Sequence, residues 1–266
     1  MLTESARRAL PTRSHLLPPG WPQYYVKGAR RANASDRSRL AAMQTPDKEA
    51  LRIRFLKVDT SNVADVLDKL GYPDQGLAAD FLPFPSTAGR LAGWAYTIRG
   101  EMMASAQTGD PQKMRACQGI SPGEVSVWAG DGEGICYFGE LIATGMKERG
   151  CVGALVDGGV RDVRWIGQLG FPVYARYRTP IQSIGRWKVD AAQVPVLMRG
   201  ATVREVAVSP GDFILADEDG AVVIPAALVG QVLEEAERLT QTEVAIRAEL
   251  SAGLTLAEAL KKYGHV

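Results

Sequence analysis

Between Val125 and Ala175 the chain alternates short β-rich runs with helical stretches, and this alternation restricts its fold more than any other feature. Val125-Ser126-Val127-Trp128 follows the turn sequence Ser121-Pro122-Gly123-Glu124. The glycine loop Gly130-Asp131-Gly132-Glu133-Gly134 then leads into a helix predicted from about Tyr137 to Arg149, with Gly150 as the residue that ends it. Ala154-Leu155-Val156, the turn Asp157-Gly158-Gly159, a helix from about Asp162 to Leu169 and Val173-Tyr174-Ala175 complete a β-α-β-α-β run. Such a run places the chain in the α/β class.

The flanking segments add elements on both sides. Thr60-Ser61-Asn62 are candidate caps for a helix whose apolar residues Val63, Val66, Leu67 and Leu70 share one face. Strands are predicted at Trp94-Ala95-Tyr96-Thr97-Ile98, Ala201-Thr202-Val203, Phe213-Ile214-Leu215-Ala216 and Ala221-Val222-Val223-Ile224, the last two joined by the hairpin turn Asp217-Glu218-Asp219-Gly220. From about Ala226 the chain reads as helix, with Leu228, Val232, Ala236 and Leu239 on one face. Thr255 and Glu258 fit a capping box that opens a second helix. Residues 1–50 form a basic arm rich in Arg and broken by Pro18-Pro19-Gly20-Trp21-Pro22, with Trp21, Tyr24 and Tyr25 as candidate anchors on a neighbouring subunit. The expected organisation is therefore an arm over 1–50, a catalytic domain over 51–250 and a helical tail over 251–266.

Only two histidines occur, His15 and His265, both near the chain ends, so an imidazole base or a His-built metal centre in the core is excluded. Ser-His-Asp hydrolases, Cys-His proteases and most zinc enzymes need that group. Cys117, Cys136 and Cys151 are odd in number and lack CxxC spacing, which argues against a disulfide framework and for a reducing, cytoplasmic compartment. A net charge of +1 creates no global field of the kind that draws a protein onto nucleic acid or an anionic membrane. No apolar run has the length of a membrane helix. Chemistry must then run on carboxylates, Arg, Lys, backbone amides or an oxygen-loving metal.

Gly139-Glu140-Leu141-Ile142-Ala143, Val156-Asp157-Gly158-Gly159-Val160-Arg161-Asp162 and Leu169-Gly170-Phe171-Pro172-Val173 together resemble the core signature of the HMG/CHA aldolases. That family of divalent-metal pyruvate aldolases acts on 4-hydroxy-4-methyl-2-oxoglutarate and 4-carboxy-4-hydroxy-2-oxoadipate, and also contains the regulator of ribonuclease activity A. Its pattern is an acid, twenty residues, then Arg-Asp; here twenty residues separate Glu140 from Arg161-Asp162, with Glu where aspartate is frequent. Similarity extends to Asp59-Thr60-Ser61-Asn62-Val63-Ala64-Asp65 and to Pro210-Gly211-Asp212-Phe213-Ile214-Leu215-Ala216-Asp217-Glu218-Asp219-Gly220, covering about residues 55–250.

The resemblance implies a compact α/β/α-type fold of the swivelling phosphohistidine-domain class, assembled as a homotrimer or homohexamer with sites between subunits. It implies that Asp162 binds Mg²⁺ or Mn²⁺ largely through waters. Arg161 would fork onto the substrate carboxylate and ketone oxygen, and the amides of Glu140, Leu141 and Ile142, following Gly139, would take the same anion. Glu140 would orient a water on the ion that acts as base, and Glu243 of an adjacent subunit is the candidate extra acid. The implied reaction is retro-aldol cleavage of a 4-hydroxy-2-oxo acid to pyruvate and a carbonyl compound, with oxaloacetate decarboxylation beside it. Asp131 and Glu133 are candidates for support of the metal site or for a turn, and Arg176, Arg178 and Arg186 for a second carboxylate or for the surface.

Three rival readings start from the same residues. Gly130 and Gly132 fit a dinucleotide-binding loop, but Ile135 occupies the third glycine position. A Schiff-base aldolase would use Lys147, the lysine of the central helix. A non-catalytic regulator that binds a ribonuclease is the alternative outside enzymology; that branch does not keep the acid after the arginine, and Asp162 is present. A lyase of the same fold acting on a different oxo acid stays open as well.

Overall fold

A computed structural model describes residues 47–103 and 109–266; the basic arm, with Trp21, Tyr24 and Tyr25, lies outside the described residues. The chain begins with α1 (Lys48–Phe55) and α2 (Thr60–Lys69), then β1 (Leu82–Pro83) and the long β2 (Leu91–Met102). It continues through α3 (Pro111–Gln118), β3 (Glu124–Ala129), β4 (Cys136–Phe138), α4 (Glu140–Lys147), β5 (Gly153–Val160), α5 (Val163–Leu169) and β6 (Val173–Arg178). After these come β7 (Trp187–Ala192), β8 (Val196–Arg199), β9 (Glu205–Val208), β10 (Phe213–Asp217), β11 (Gly220–Ile224), α6 (Val229–Ser251) and α7 (Leu256–Tyr263). Helix α1 straddles the boundary drawn at residue 50. No described helix is long and apolar enough to cross a membrane.

Nine strands form one sheet in the order β1-β6-β5-β3-β2-β10-β11, with β4 added to β5 and β7 to β2. The β3-β5-β6 pairs are parallel, as the crossover helices require, and the β10-β11 hairpin is antiparallel. Gly76 bridges to Val222 of β11 and Leu82 pairs with Ala175 of β6, so the segment between them runs from one end of the sheet to the other and curls it towards closure.

Side-chain alternation along β2 assigns the two faces. Leu91 and Ala95 point inward with Val125, Val127, Leu155, Ile214 and Val223, and the β8-β9 hairpin fills this concave side with Val196, Met198, Val206 and Val208. Ala92 and Trp94 point outward beneath α1, α2 and α6, while Tyr96 and Ile98 point outward beneath α3, α4 and α5. The α/β class holds, but the layering is corrected: both groups of helices cover one convex face, and a strand hairpin, not a helical layer, occupies the other.

Three local expectations change. Tyr137 and Phe138 are fully buried in β4, so the central helix starts at Glu140 rather than Tyr137. Ala201-Thr202-Val203 is the loop between β8 and β9, because Ala201 N donates to Gly76 O at 3.0 Å and Thr202 Oγ1 to Asp74 Oδ1 at 2.7 Å instead of entering a ladder. The N-cap of α2 is Asp59, with Thr60 inside the helix and its hydroxyl donating to Asp217 Oδ1 at 2.6 Å.

Candidate functional site

The Arg161-Asp162 pair sits where β5 hands over to α5. Asp162 adopts the left-handed conformation, φ 61° and ψ 30°, which an aspartate tolerates better than most residues and which the buried strand before it and the helix after it hold in place. This turn brings Asp162 Oδ2 within 3.4 Å of Arg161 Nε and 3.3 Å of the Glu140 amide at the start of α4. Gly139 makes the approach possible: a Cβ there would lie 2.8 Å from Asp162 Oδ2 and 3.3 Å from Arg161 Cγ. Having no side chain, Gly139 also cannot cap the helix, which leaves the amides of Leu141 and Ile142 without a side-chain acceptor among the described residues.

Gly139, Leu141, Ile142, Arg161 and Asp162 line one end of a cavity of about 880 Å³, roofed by α3 and by residues 182–188. Arg161 and Asp162 are both partly exposed there. Glu140 lies at the same helix start, but its Oε1 accepts from Thr144 Oγ1 at 2.8 Å, along its own helix. Glu243 lies on α6, where it pairs with Arg247 at 2.7 Å and stands 3.4 Å from His265 Nε2.

Other candidates are drawn elsewhere. Asp131 accepts from the Met102 amide at 2.8 Å, a loop contact. Glu133 accepts from Arg176 at 3.0 Å and from Arg199, and Arg176 also donates to Asp80 at 2.8 Å. Arg176 therefore belongs to an ion-pair network around buried Asp157 and does not line the cavity. The Gly130–Gly134 loop leads to β4 rather than to a helix, which removes the dinucleotide reading. Lys147 is exposed and donates to Leu169 O at 2.6 Å, outside the cavity.

Two lysines line the cavity, Lys113 on α3 and Lys188 on β7, and the buried one, Lys113, was not singled out from the sequence. Only 7% exposed, it donates from Nζ to Tyr137 O, lies 3.5 Å from Ser183 Oγ, and stands 5.4 Å and 5.7 Å from the ring centroids of Trp128 and Trp187. Burial lowers its ammonium below the ordinary lysine range, and the nearby Arg161 charge acts in the same direction. A usable signal was present: Asp110 followed by Pro111 is a helix start, and Asp110 does accept from the Lys113 amide at 2.9 Å.

Among the described residues no three of His, Cys, Asp and Glu gather as a metal cage. Asp162 offers one carboxylate beside open volume, with Glu140 at the adjoining helix start, and this suits Mg²⁺ or Mn²⁺, which keep much of their shell as water or substrate oxygen.

A family profile described as RraA-like, Aldolase/RraA, matches residues 60–223. A protein of Halalkalibacterium halodurans named as a candidate 4-hydroxy-4-methyl-2-oxoglutarate aldolase is 29% identical over 191 residues, which is 70% of this chain and 81% of that one. Among solved structures, an uncharacterized protein from Pseudomonas syringae pv. tomato is similar with a TM-score of 0.70 and 28% identity, covering 82% of this chain and 96% of that one. RraAS2 of Streptomyces coelicolor, described as an unusual member of the RNase ES inhibitor RraA protein family, follows with a TM-score of 0.64 and 27% identity over 76% and 97% of the two chains.

Proposed function

The chain belongs to the RraA-like family, Aldolase/RraA, and on that premise we propose that it is a divalent-metal-dependent lyase that cleaves a 4-hydroxy-2-oxo acid to pyruvate and a second carbonyl compound. The observation that carries this reading is the meeting of Arg161, Asp162 and the open N-terminus of α4 at one end of a cavity. A guanidinium, a carboxylate and unpaired amides are the groups that binding and holding a 2-oxo acid enolate requires.

In the proposed reaction Arg161 forks onto the substrate carboxylate and the 2-oxo oxygen, and the Leu141 and Ile142 amides take the carboxylate's remaining lone pairs. Asp162, with Glu140 beside it and Glu243 supplied by a neighbouring subunit, would hold Mg²⁺ or Mn²⁺. The cation, when bound, polarises the 2-oxo group and lowers the cost of negative charge on it. Glu140 orients the water that takes the proton of the C4 hydroxyl, for which its carboxylate must leave Thr144. The C3–C4 electron pair then passes to C3 as the C4 carbonyl forms, and Arg161 faces the enolate charge. Oxaloacetate reaches the same enolate by losing carbon dioxide, so its decarboxylation accompanies the main reaction. Sites shared between subunits make a homotrimer or homohexamer part of the proposal.

A regulator acting by protein contact is the second reading, favoured by the likeness to the RNase ES inhibitor family protein. Pyruvate release from oxaloacetate and from 4-hydroxy-4-methyl-2-oxoglutarate, with EDTA or with added Mg²⁺ or Mn²⁺, separates the two. Metal-dependent release that Asp162→Ala abolishes is the expected result. No release under any metal, together with capture of a ribonuclease in a pull-down, would put the regulator first.

A further inference from the structure

Resting on the aldolase reading, we propose that Lys113 is the catalytic acid that protonates C3 of the enolate, and in the reverse direction the base that removes that proton from pyruvate. The cleavage needs two proton transfers. The first, at the C4 hydroxyl, falls to the water that Glu140 orients, and nothing in the Arg161-Asp162 cluster is assigned to the second.

Lys113 is placed for it. It shares the cavity with Arg161 and Asp162. Successive carbonyls of β4 hold the two sides of the site, since Tyr137 O accepts from Lys113 Nζ and Phe138 O accepts from the Arg161 amide at 3.1 Å. No described carboxylate pairs with this ammonium; its acceptors are one backbone oxygen and the more distant Ser183 hydroxyl, inside walls of Trp128 and Trp187. A structural lysine buried this deeply ordinarily has a counter-ion, because an unpaired charge is costly to take out of water. A lysine that gives up and regains a proton in each turnover is better without one, and desolvation together with Arg161 pushes Lys113 that way against the pull of Cys117, Cys136 and Asp110.

The step balances simply. The ammonium transfers one proton to C3, pyruvate forms, and the neutral amine recovers a proton from solvent through the cavity mouth. Run backwards with pyruvate alone, it exchanges the methyl hydrogens with solvent.

Proton NMR of pyruvate in D₂O with Mg²⁺ reads this exchange, and calorimetric titration of pyruvate reads binding in parallel. Lys113→Met keeps an apolar filling between the tryptophans; Lys113→Arg keeps the charge but cannot give up its proton near neutral pH. Both are expected to slow exchange by at least ~100-fold, with pyruvate binding retained in Lys113→Arg, the variant that also guards against misfolding of the other. Exchange at the wild-type rate in Lys113→Arg would overturn the proposal, as would loss of binding in parallel with exchange in both variants, which would make Lys113 a substrate anchor. If the wild-type protein releases pyruvate from oxaloacetate yet exchanges no methyl hydrogen, the proton role fails and the aldolase reading stands. If it does neither, both fail.

Discussion

Asp157 sits 4% exposed on β5, with Oδ1 3.6 Å from Arg176 Nε and 3.5 Å from Arg199 Nε, while Oδ2 accepts the Arg199 amide at 3.1 Å. Oδ1 has no hydrogen bond in good geometry, and burial pushes the carboxyl up to about 6 in spite of both guanidiniums. Its folded value lies above its unfolded one, so the ionised form is the one the fold disfavours. Below about pH 4 the group is protonated in both states and costs nothing; as pH rises to 6 a penalty of about 3 kcal/mol develops and then persists. Asp157→Asn is therefore expected to gain stability relative to wild type between pH 4 and 7. Urea denaturation of both proteins across that range checks it, and a difference that does not change with pH would contradict the burial argument. Asp162, just beyond the C-terminal end of the same strand, is instead exposed and set in a left-handed backbone. One aspartate is buried in the sheet and the other faces the cavity.

The handover from α4 to β5 depends on Gly150, which has φ 90° and whose added Cβ would meet Pro122 Cα and Cβ at 2.8 Å. Gly150→Ala is expected to cost at least about 1–2 kcal/mol for the left-handed backbone alone, seen as a lower denaturant midpoint at unchanged m-value. This turn was readable in the sequence, as were the alternation through β3, α4, β5, α5 and β6, the β10-β11 hairpin and the Thr255-Glu258 capping box, because each is fixed by local periodicity or by one residue's stereochemistry. The Gly139-Glu140 and Arg161-Asp162 pairs were found as short motifs, and their meeting is what a βαβ crossover produces. The start of β4 was not legible, since Tyr137 and Phe138 carry apolar side chains that suit a helix face as well as a buried strand. Nor was the β8-β9 loop, where β-branched Thr202 and Val203 read as strand while the partners of Ala201 and Thr202, Gly76 and Asp74, lie far away in sequence. Lys113 was missed for a related reason: the Asp110-Pro111 start of its helix went unread, and the cavity that gives its side chain meaning is made by β4, α4 and residues 182–188 together.

At the scale of the molecule, the proposed sharing of Glu243 between subunits makes assembly a condition of activity. Static light scattering is expected to give a mass close to three or six times the 28.7 kDa of one chain. A monomer that still turned over substrate would remove Glu243 from the site. The β8-β9 hairpin has a further consequence. Small closed sheets often keep their ligand in the interior, but here Val196, Met198, Val206 and Val208 occupy that space, and the cavity lies on the convex side beneath α3. The cavity thus shares none of this interior packing and takes its walls from the core of the convex face, with Tyr137, Phe138 and Trp187. Mutations at exposed lining positions such as Met114 of α3 and Ile184 can reshape what the cavity accepts without disturbing either core, so a lineage built on this scaffold can change its diet while its stability stays under independent selection.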